Sequence, residues 1–251
     1  MRRILVLAGA LAAATTLASC GVDVTFDSKE RHDVRDFPLP AGALTIKSGV
    51  KVHVVAGNGP TLKVERWVRG KAANDGNATW SMRGDTLTLT ANCQMIIGDC
   101  GGRYLVRVPG TRKLTVNVPD DNVRLTGMPG DVEVTTRTGD VRVENALGAV
   151  RLNTGDGRLT VTGARSGVVR ARSGSGDIDL SFATAPAEVR AMSTDGRVTA
   201  TLPEVEGSYR VTASSREGSK RSTVRHAPKS ERIVVVRSVS EDVRLRTTRA
   251  S

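Results

Sequence analysis

The sequence predicts an all-β protein built as a β-solenoid, and three observations lead to that fold class. Aliphatic residues recur every nine positions over the second half of the chain, and most have an aliphatic partner two residues on. This alternation is typical of strands that bury one face. Aromatic residues make up only 3% of the chain, whereas glycine contributes 26 of its 251 residues. The core is therefore expected to be narrow and aliphatic, and the chain to turn often.

The nine-residue spacing defines a repeat of two strands and two corners, drifting from 18 to about 21 residues. The spacing falls on Leu105, Leu114, Val123, Val132, Val141, Val150, Leu159, Val168, Ile178, Val189 and Val198. Between these positions and their apolar partners lie residues expected to face solvent: Arg142, Arg151, Thr160, Asp179, Arg190 and Thr199.

Two architectures fit this repeat. In a β-solenoid with two strands per coil, Val141, Leu159, Ile178 and Val198 would stack in one interior row. In an antiparallel β-meander or sandwich, the same corners would alternate between two ends. Corners that vary in length while the strand spacing holds favour the solenoid.

Glycine and aspartate mark the corners, for example in Thr138-Gly139-Asp140 and Thr154-Gly155-Asp156-Gly157. We expect glycine there because corners need a positive φ, and aspartate because its carboxylate caps backbone amides. A row formed by Asp140, Asp156, Asp177 and Asp195 could instead bind calcium, but the regular glycine-rich nonapeptide of calcium-binding β-rolls is missing. No metal site and no cofactor is predicted.

The two ends of the repeat are less regular than its middle. Trp67 and Trp80, the only tryptophans, are expected to plug the first coils. The predicted organisation is a signal peptide over 1–19, a leader over 20–40 and one solenoid domain over 41–251, divided into irregular first coils (41–104), regular repeats (105–215) and a basic C-terminal cap (216–251).

The first twenty residues have the features of an export signal. Arg2 and Arg3 precede an apolar run over 4–14 that is too short to span a bilayer, and Leu17-Ala18-Ser19-Cys20 follows. This segment resembles bacterial lipoprotein signal peptides. The resemblance implies cleavage before Cys20, a thioether-linked diacylglycerol on its sulfur with palmitate among the acyl chains, and an extracytoplasmic, membrane-anchored protein.

Cys93 and Cys100 are the other two cysteines. Because an exported protein matures where thiols oxidise, we predict a disulfide that closes the short loop between them. In the chain-entropy picture such a loop contributes about 2–3 kcal/mol. Metal ligation is the alternative, but a lone cysteine pair without a neighbouring histidine makes a poor site.

Positive charge is concentrated near the C-terminus. The chain carries +11, and residues 216–251 hold ten Arg or Lys against four Asp or Glu. Besides the membrane, the expected partner is an anionic cell-wall polymer or an envelope protein, with polyanions bound by Arg221, Arg225, Lys229 and Arg232. No nucleic acid is expected at this location. The alternative is a solvated arginine-rich surface without a specific ligand.

Catalytic constellations are not suggested by the sequence. Histidine occurs only at positions 32, 53 and 226, without a Ser-His-Asp or Cys-His arrangement. We therefore predict a non-enzymatic binding or scaffold module. A carbohydrate-active β-helix enzyme is the alternative, since some use rows of aspartate beside a basic residue, and an ectodomain partner of a membrane sensor is a third class.

Several segments of the chain together resemble those of a known bacterial family. The lipobox, the Leu44-Thr45-Ile46 and Asp85-Thr86-Leu87-Thr88-Leu89 segments and the repeated Thr/Ser-Gly-Asp-Val/Ile corners together resemble the β-strand-repeat "putative adhesin" lipoproteins of unknown function, over roughly residues 40–215. The resemblance implies a right-handed β-solenoid, or single-stranded β-helix, displayed outside the cytoplasmic membrane, and adhesin-like binding. Its motifs are structural, so it implies no catalytic residue.

Overall fold

The computed structural model describes residues 30–93 and 100–248, which form two sheets and one 3-10 turn at Lys71–Ala73. Cys20 lies outside the described residues. The first sheet has eleven strands, in spatial order β1 (Arg31–Pro38), β4 (Thr61–Gly70), β7 (Cys100–Pro109), β3 (Lys51–Gly57), β9 (Val123–Thr126), β11 (Val141–Glu144), β13 (Leu159–Ala164), β15 (Ile178–Phe182), β17 (Val198–Pro203), β21 (Val243–Thr248) and β19 (Lys220–Ser222). Within these described ranges no helix is long and apolar enough to cross a bilayer.

The second sheet has ten strands. Their spatial order is β18 (Arg210–Ser215), β20 (Ile233–Ser238), β16 (Glu188–Ser193), β14 (Val168–Ser173), β12 (Val150–Thr154), β10 (Val132–Thr135), β8 (Leu114–Asn117), β2 (Leu44–Ser48), β6 (Thr86–Ala91) and β5 (Ala78–Arg83). Each coil contributes one strand to each sheet, and successive coils pair in parallel. The predicted solenoid with two strands per coil is therefore confirmed, and the antiparallel alternative is wrong.

The interior is the space between the two sheets. Val141, Leu159, Ile178 and Val198 pair in register on adjacent strands and are each at most 1% exposed. This confirms the predicted row, because residues two apart on each strand point to the same face. The side chains between them face outwards.

The nine-residue spacing slips at two positions. In β7 the buried residues on either side of Leu105 are Tyr104 and Val106, so Leu105 faces outwards. In β14 the buried residue is Val169, which pairs with Val150, and Val168 lies half-buried. The second slip follows an extra residue in β13, where the register shifts between Val161 and Ala164 around Gly163 at φ +62°.

The corner glycines are required for a reason other than the predicted one. Gly139, Gly157, Gly176 and Gly196 stack on one another, and none has a positive φ. A Cβ on Gly157 would lie 2.0 Å from the carbonyl oxygen of Gly139, and one on Gly176 would lie 1.9 Å from that of Gly157. Close approach of neighbouring corners, not backbone conformation, therefore excludes a side chain here.

The corner aspartates do cap backbone amides. Asp140 Oδ1 accepts the Arg158 N–H at 2.8 Å, and Asp177 Oδ1 accepts the Arg197 N–H at 2.9 Å, each from a neighbouring coil. Asp156 and Asp195 accept hydroxyl hydrogen bonds from Ser175 and Ser240 instead. The carboxylates of the row are thus engaged in tying one coil to the next.

The order of coils in space differs from their order in the chain at the C-terminal end. The β20–β21 coil lies between the β16–β17 coil and the β18–β19 coil. β20 buries Val234 and Val236, whereas all of β18 and β19 is exposed or half-buried. The apolar coil is therefore inside and the polar one forms the edge, where one side meets water. Residues 210–222 thus form the terminal strands, and the later part of the predicted cap over 216–251 lies one coil further in, as β20 and β21.

At the N-terminal end, too, the coils are crossed, which means that their order in space differs from their order in the chain. The β2–β3 coil lies between the β6–β7 and β8–β9 coils. Residues 31–38, which the sequence places in the leader, form β1 and pair antiparallel with β4. The described solenoid therefore begins earlier than predicted.

Only one tryptophan plugs this end. Trp80 packs between Phe37 and Tyr104, with ring centroids 6.2 and 6.3 Å away. Trp67 lies on the outer face, because the inward position of β4 beside it is taken by buried Arg66, whose guanidinium lies 4.4 Å from the centre of the Trp80 ring.

The predicted disulfide is confirmed. Cys93, just after β6, is bonded to Cys100, the first residue of β7, with their Cα atoms 5.5 Å apart. The bond joins β6 and β7, the two strands of the last parallel coil at the N-terminal end.

Candidate anion-binding face

The outer surface of the second sheet carries two columns of arginine, which we call the arginine face. Arg151, Arg170 and Arg190 pair in register on β12, β14 and β16. Arg172 and Arg237 lie in the next outward column, on either side of Met192. Because neighbouring strands are about 4.8 Å apart, the first column places a cation at each of three successive rungs of the ladder.

Glu188 is the acidic residue built into this face. Its carboxylate accepts hydrogen bonds from the guanidinium groups of Arg170 and Arg190, each at 2.8 Å. Glu133 lies beside Arg151 in register but forms its ion pair with Lys113, at 3.6 Å. In the described part of the chain, the side chains of Arg151, Arg172 and Arg237 form no ion pair. The face therefore keeps a net positive charge.

The arginines change the acidity of Glu188. The hydrogen bond from Arg170, supported by that from Arg190 and by the charge of both, lowers the pKa of Glu188 from 4.5 to about 2, although burial opposes the shift. At neutral pH the carboxylate is therefore ionised and holds the two guanidinium groups side by side.

We expect the stability of the fold to depend on pH through Glu188. A pKa that is lower in the folded than in the unfolded state stabilises the fold above about pH 4.5, and this stabilisation is lost as the pH falls towards 2. Glu188→Gln should thus cost about 1–2 kcal/mol at pH 7, allowing for the half-exposed arginines, and almost nothing at pH 2. Denaturant titrations across this range measure the difference.

The control is Glu206→Gln, which removes an exposed carboxylate without an ion pair among the described residues. It should leave the midpoint nearly unchanged at both pH values. A Glu188→Gln effect of equal size at pH 7 and pH 2 would contradict the assignment.

The four C-terminal residues predicted to bind polyanions do not form one surface. Arg221 lies on β19 in the first sheet, and Arg232 is half-buried just before β20 in the second. Arg225 and Lys229 do come together. They line a cavity of about 590 Å³ at the end of the solenoid, whose wall also includes Glu204 and Glu206. Two carboxylates therefore offset the two cations there.

The outer face of the first sheet also carries arginines, two of which share one carboxylate. Arg124 and Arg142 both bond to Glu144, at 2.7 and 2.6 Å, and lower the pKa of that carboxyl to about 2. A groove of about 590 Å³ crosses this face beside Trp67. Both faces of the indole are covered, by the His32 ring at 4.6 Å and by the Arg103 guanidinium at 4.9 Å. The ring is thus not free to stack on a sugar.

Catalytic geometry is not found at the histidines. His53 Nε2 lies 3.1 Å from the Thr126 hydroxyl, which donates to Glu144 at 3.2 Å. A hydrolytic relay needs the histidine between acid and nucleophile, whereas here the threonine is in the middle. His226 Nδ1 accepts the backbone N–H of Val211. Within residues 30–93 and 100–248, no three His, Cys, Asp or Glu side chains are grouped to hold a metal ion.

Sequence reasoning missed Arg170, Arg172 and Arg237 as members of one surface. A signal is present for the first two, because Val169-Arg170-Ala171-Arg172-Ser173 alternates buried and exposed residues. The nine-residue spacing assigns Val168 to the buried face, which is one residue out of phase with this alternation and therefore predicts the wrong face for Arg170 and Arg172. The position of Arg237 depends on the insertion of β20 next to β16, for which the nine-residue pattern carries no signal.

A family model described as Toastrack DUF4097 matches residues 111–249. Among proteins with curated descriptions, none matches this chain. Three solved structures are similar to it: a "putative adhesin" from Bacteroides fragilis (14% identity, 86% of this chain and 97% of that chain covered, TM-score 0.48), a "putative adhesin" from Parabacteroides distasonis (11%, 89% and 98%, 0.43) and a "putative cell adhesion protein" from Clostridium sporogenes (8%, 88% and 100%, 0.32). At these values the likeness carries no argument about function.

Proposed function

Because this chain belongs to the Toastrack DUF4097 family, we propose that it is a non-enzymatic binding module of the cell envelope. Its ligand in this proposal is an anionic envelope polymer, and its binding surface is the arginine face. The column of Arg151, Arg170 and Arg190 carries the proposal, because it repeats one cation per rung over three successive strands. The family match includes this whole surface.

A periodic row of cations suits a polymer better than a single small ion. Charges about 4.8 Å apart lie within the Debye length of about 8 Å at physiological ionic strength, so a chain of anions lying along the row interacts with several at once. Guanidinium groups also donate two parallel hydrogen bonds to a phosphate or carboxylate group. Added salt should weaken this attraction steeply.

The test is binding of the mature domain to purified anionic wall polymer at rising salt. We expect Arg151→Gln/Arg170→Gln/Arg190→Gln to lower the affinity at least tenfold. The matched variant Arg221→Gln/Arg225→Gln/Lys229→Gln removes the same charge near the C-terminus and should lower it less. Glu188→Gln, which frees two arginines, should raise the affinity about threefold.

Three results would overturn this assignment. A stronger loss in the C-terminal variant would move the binding surface to the end of the solenoid. Binding that is insensitive to salt and to both sets of substitutions would indicate an uncharged ligand. Release of unsaturated sugar products from an acidic polysaccharide would mean that the protein is an enzyme.

The proposal also places the protein on a lipid anchor at Cys20. The support is the lipobox, Leu17-Ala18-Ser19-Cys20, after a short apolar run. Cys20 precedes β1 by eleven residues, a length of chain that spans at most about 40 Å when extended. The tether would let the arginine face reach polymers close to the membrane surface.

We expect Cys20→Ala to abolish incorporation of labelled palmitate and to move the protein out of the detergent-extractable membrane fraction. The physical reason is that acyl chains supply about 0.8 kcal/mol per buried methylene, which no described segment replaces. Fractionation and labelling of cells that express either form measure this. A Cys20→Ala protein that is labelled and membrane-bound like the wild type would refute the anchor.

A further inference from the structure

A groove of about 570 Å³ lies where the arginine face meets one row of corners. We call it the hydroxyl groove. Arg172, Arg216 and Arg237 line it, together with seven serine or threonine residues and the apolar Met192 and Val239. None of its lining residues is acidic.

The three guanidinium groups come from parts of the chain that only the crossed coils bring together. Arg172 and Arg237 lie two rungs apart, about 9.6 Å along the second sheet, with Met192 between them. Arg216 follows β18, on the far side of β20. Across the described ranges none of the three side chains forms an ion pair or a hydrogen bond. Their charge is therefore available to a ligand.

The groove also offers neutral donors. The hydroxyls of Ser173, Ser193 and Ser238 are engaged in the corner ladder, where each accepts the N–H three residues on. By contrast, the side chains of Asn153, Thr194 and Ser214 are exposed and make no hydrogen bond within residues 30–93 and 100–248. These three groups add donors that can complement an oxyanion.

An apolar strip borders these donors. Met192 and Val239 are 36% and 37% exposed, two of the four large hydrophobic side chains that stand out from the described surface. Such a strip suits the carbon skeleton that carries an anionic group. The volume lies in the range of sites that hold a small organic molecule.

We propose that the hydroxyl groove is a specific site for a phosphate ester, such as a glycerol or sugar phosphate unit. The proposal rests on the proposed polyanion-binding function and names the chemistry of its ligand. One arginine fork satisfies the two oxygens of a carboxylate. Three guanidinium groups on separate elements, together with neutral donors, match a group with more charge and with oxygens pointing in several directions.

The test is calorimetric titration of the mature domain with glycerol 3-phosphate, inorganic phosphate and, as the carboxylate analogue, glycerate. We expect saturable binding of glycerol 3-phosphate, weaker binding of inorganic phosphate, which lacks the carbon skeleton, and at least tenfold weaker binding of glycerate. Arg172→Gln/Arg237→Gln should reduce the affinity for glycerol 3-phosphate at least tenfold. Arg124→Gln/Arg142→Gln removes the same charge from the opposite sheet and should leave it unchanged.

Glycerate binding as tight as glycerol 3-phosphate, or unchanged binding in Arg172→Gln/Arg237→Gln, would overturn the phosphate site. A variant that unfolds, detected by its melting temperature, is replaced by the single substitution Arg216→Gln, for which the same loss is expected. Measuring the binding of wall polymer by the same protein distinguishes a failure of the groove proposal from a failure of the polymer proposal. Wild-type protein that binds wall polymer but not glycerol 3-phosphate refutes only the groove, and the reverse result refutes only the polymer proposal.

Discussion

Replacing Gly157 by alanine is expected to destabilise the solenoid by roughly 3 kcal/mol or more. The new Cβ would lie 2.0 Å from the carbonyl oxygen and 2.6 Å from the carbonyl carbon of Gly139. Both atoms belong to the backbone of the neighbouring corner, so no side chain can rotate out of the way. Relief requires the two coils to separate, which strains the hydrogen bonds of both sheets at that rung.

The matched control is Gly167→Ala. Gly167 also lies at a corner, but a Cβ there would meet nothing within 4 Å, and its φ is not positive. We expect a change between zero and about 1 kcal/mol of stabilisation, since alanine restricts the unfolded chain. Denaturant titration of both variants by circular dichroism measures the effects. Equal losses would show that the corners do not stack as described.

Truncating Leu159 to alanine is expected to cost about 2–5 kcal/mol, as it does for buried leucines in other cores. Leu159 is fully buried and lies in the interior row between Val141 and Ile178. Backbone hydrogen bonds between strands fix the neighbouring coils on both sides. The cavity left by the shorter side chain therefore cannot close easily. The loss should appear as a lower unfolding midpoint.

Thr160→Ala is the control for this prediction. Thr160 is the next residue on the same strand and points to the opposite, outer face. Its replacement should change the midpoint by less than about 0.5 kcal/mol. Similar effects at positions 159 and 160 would mean that the two faces of β13 are assigned wrongly.

These substitutions also bear on the proposed binding surface. The arginine columns keep their spacing only while the rungs stack, because each arginine is fixed by the strand beneath it. A variant such as Gly157→Ala, at the corner between β12 and β13, should therefore weaken polymer binding through geometry without removing a charge. Binding and stability assays of the same variants can be compared directly.

Much of the fold follows from the sequence alone. The alternation of residues such as Val141, Arg142 and Val143 marks the buried face of a strand without any knowledge of its partners, because successive side chains point to opposite faces. A repeat of constant length predicts that equivalent strands stack, and hence the interior row through Leu159. The spacing of Cys93 and Cys100, in a chain with export features, likewise predicts their disulfide.

The candidate site was less accessible to sequence reasoning. The excess charge of residues 216–251 is visible in the sequence, but the structure distributes those residues over both sheets and the end of the solenoid. A charge count treats neighbours in the chain as neighbours in space. In a solenoid the neighbours in space lie one coil apart, so Arg170 and Arg190 share a surface although twenty residues separate them.

By itself, the sequence determined the strand faces wherever the spacing holds, the two-strand coil and the aspartate caps, because each depends on contacts within a strand or between equivalent positions of a regular repeat. Only the tertiary structure decided the order of the terminal coils, the stacking that requires Gly157, and the meeting of Arg172, Arg216 and Arg237 in one groove. These features depend on which strand covers which edge. That choice balances burial and exposure over whole coils, and no local pattern encodes it.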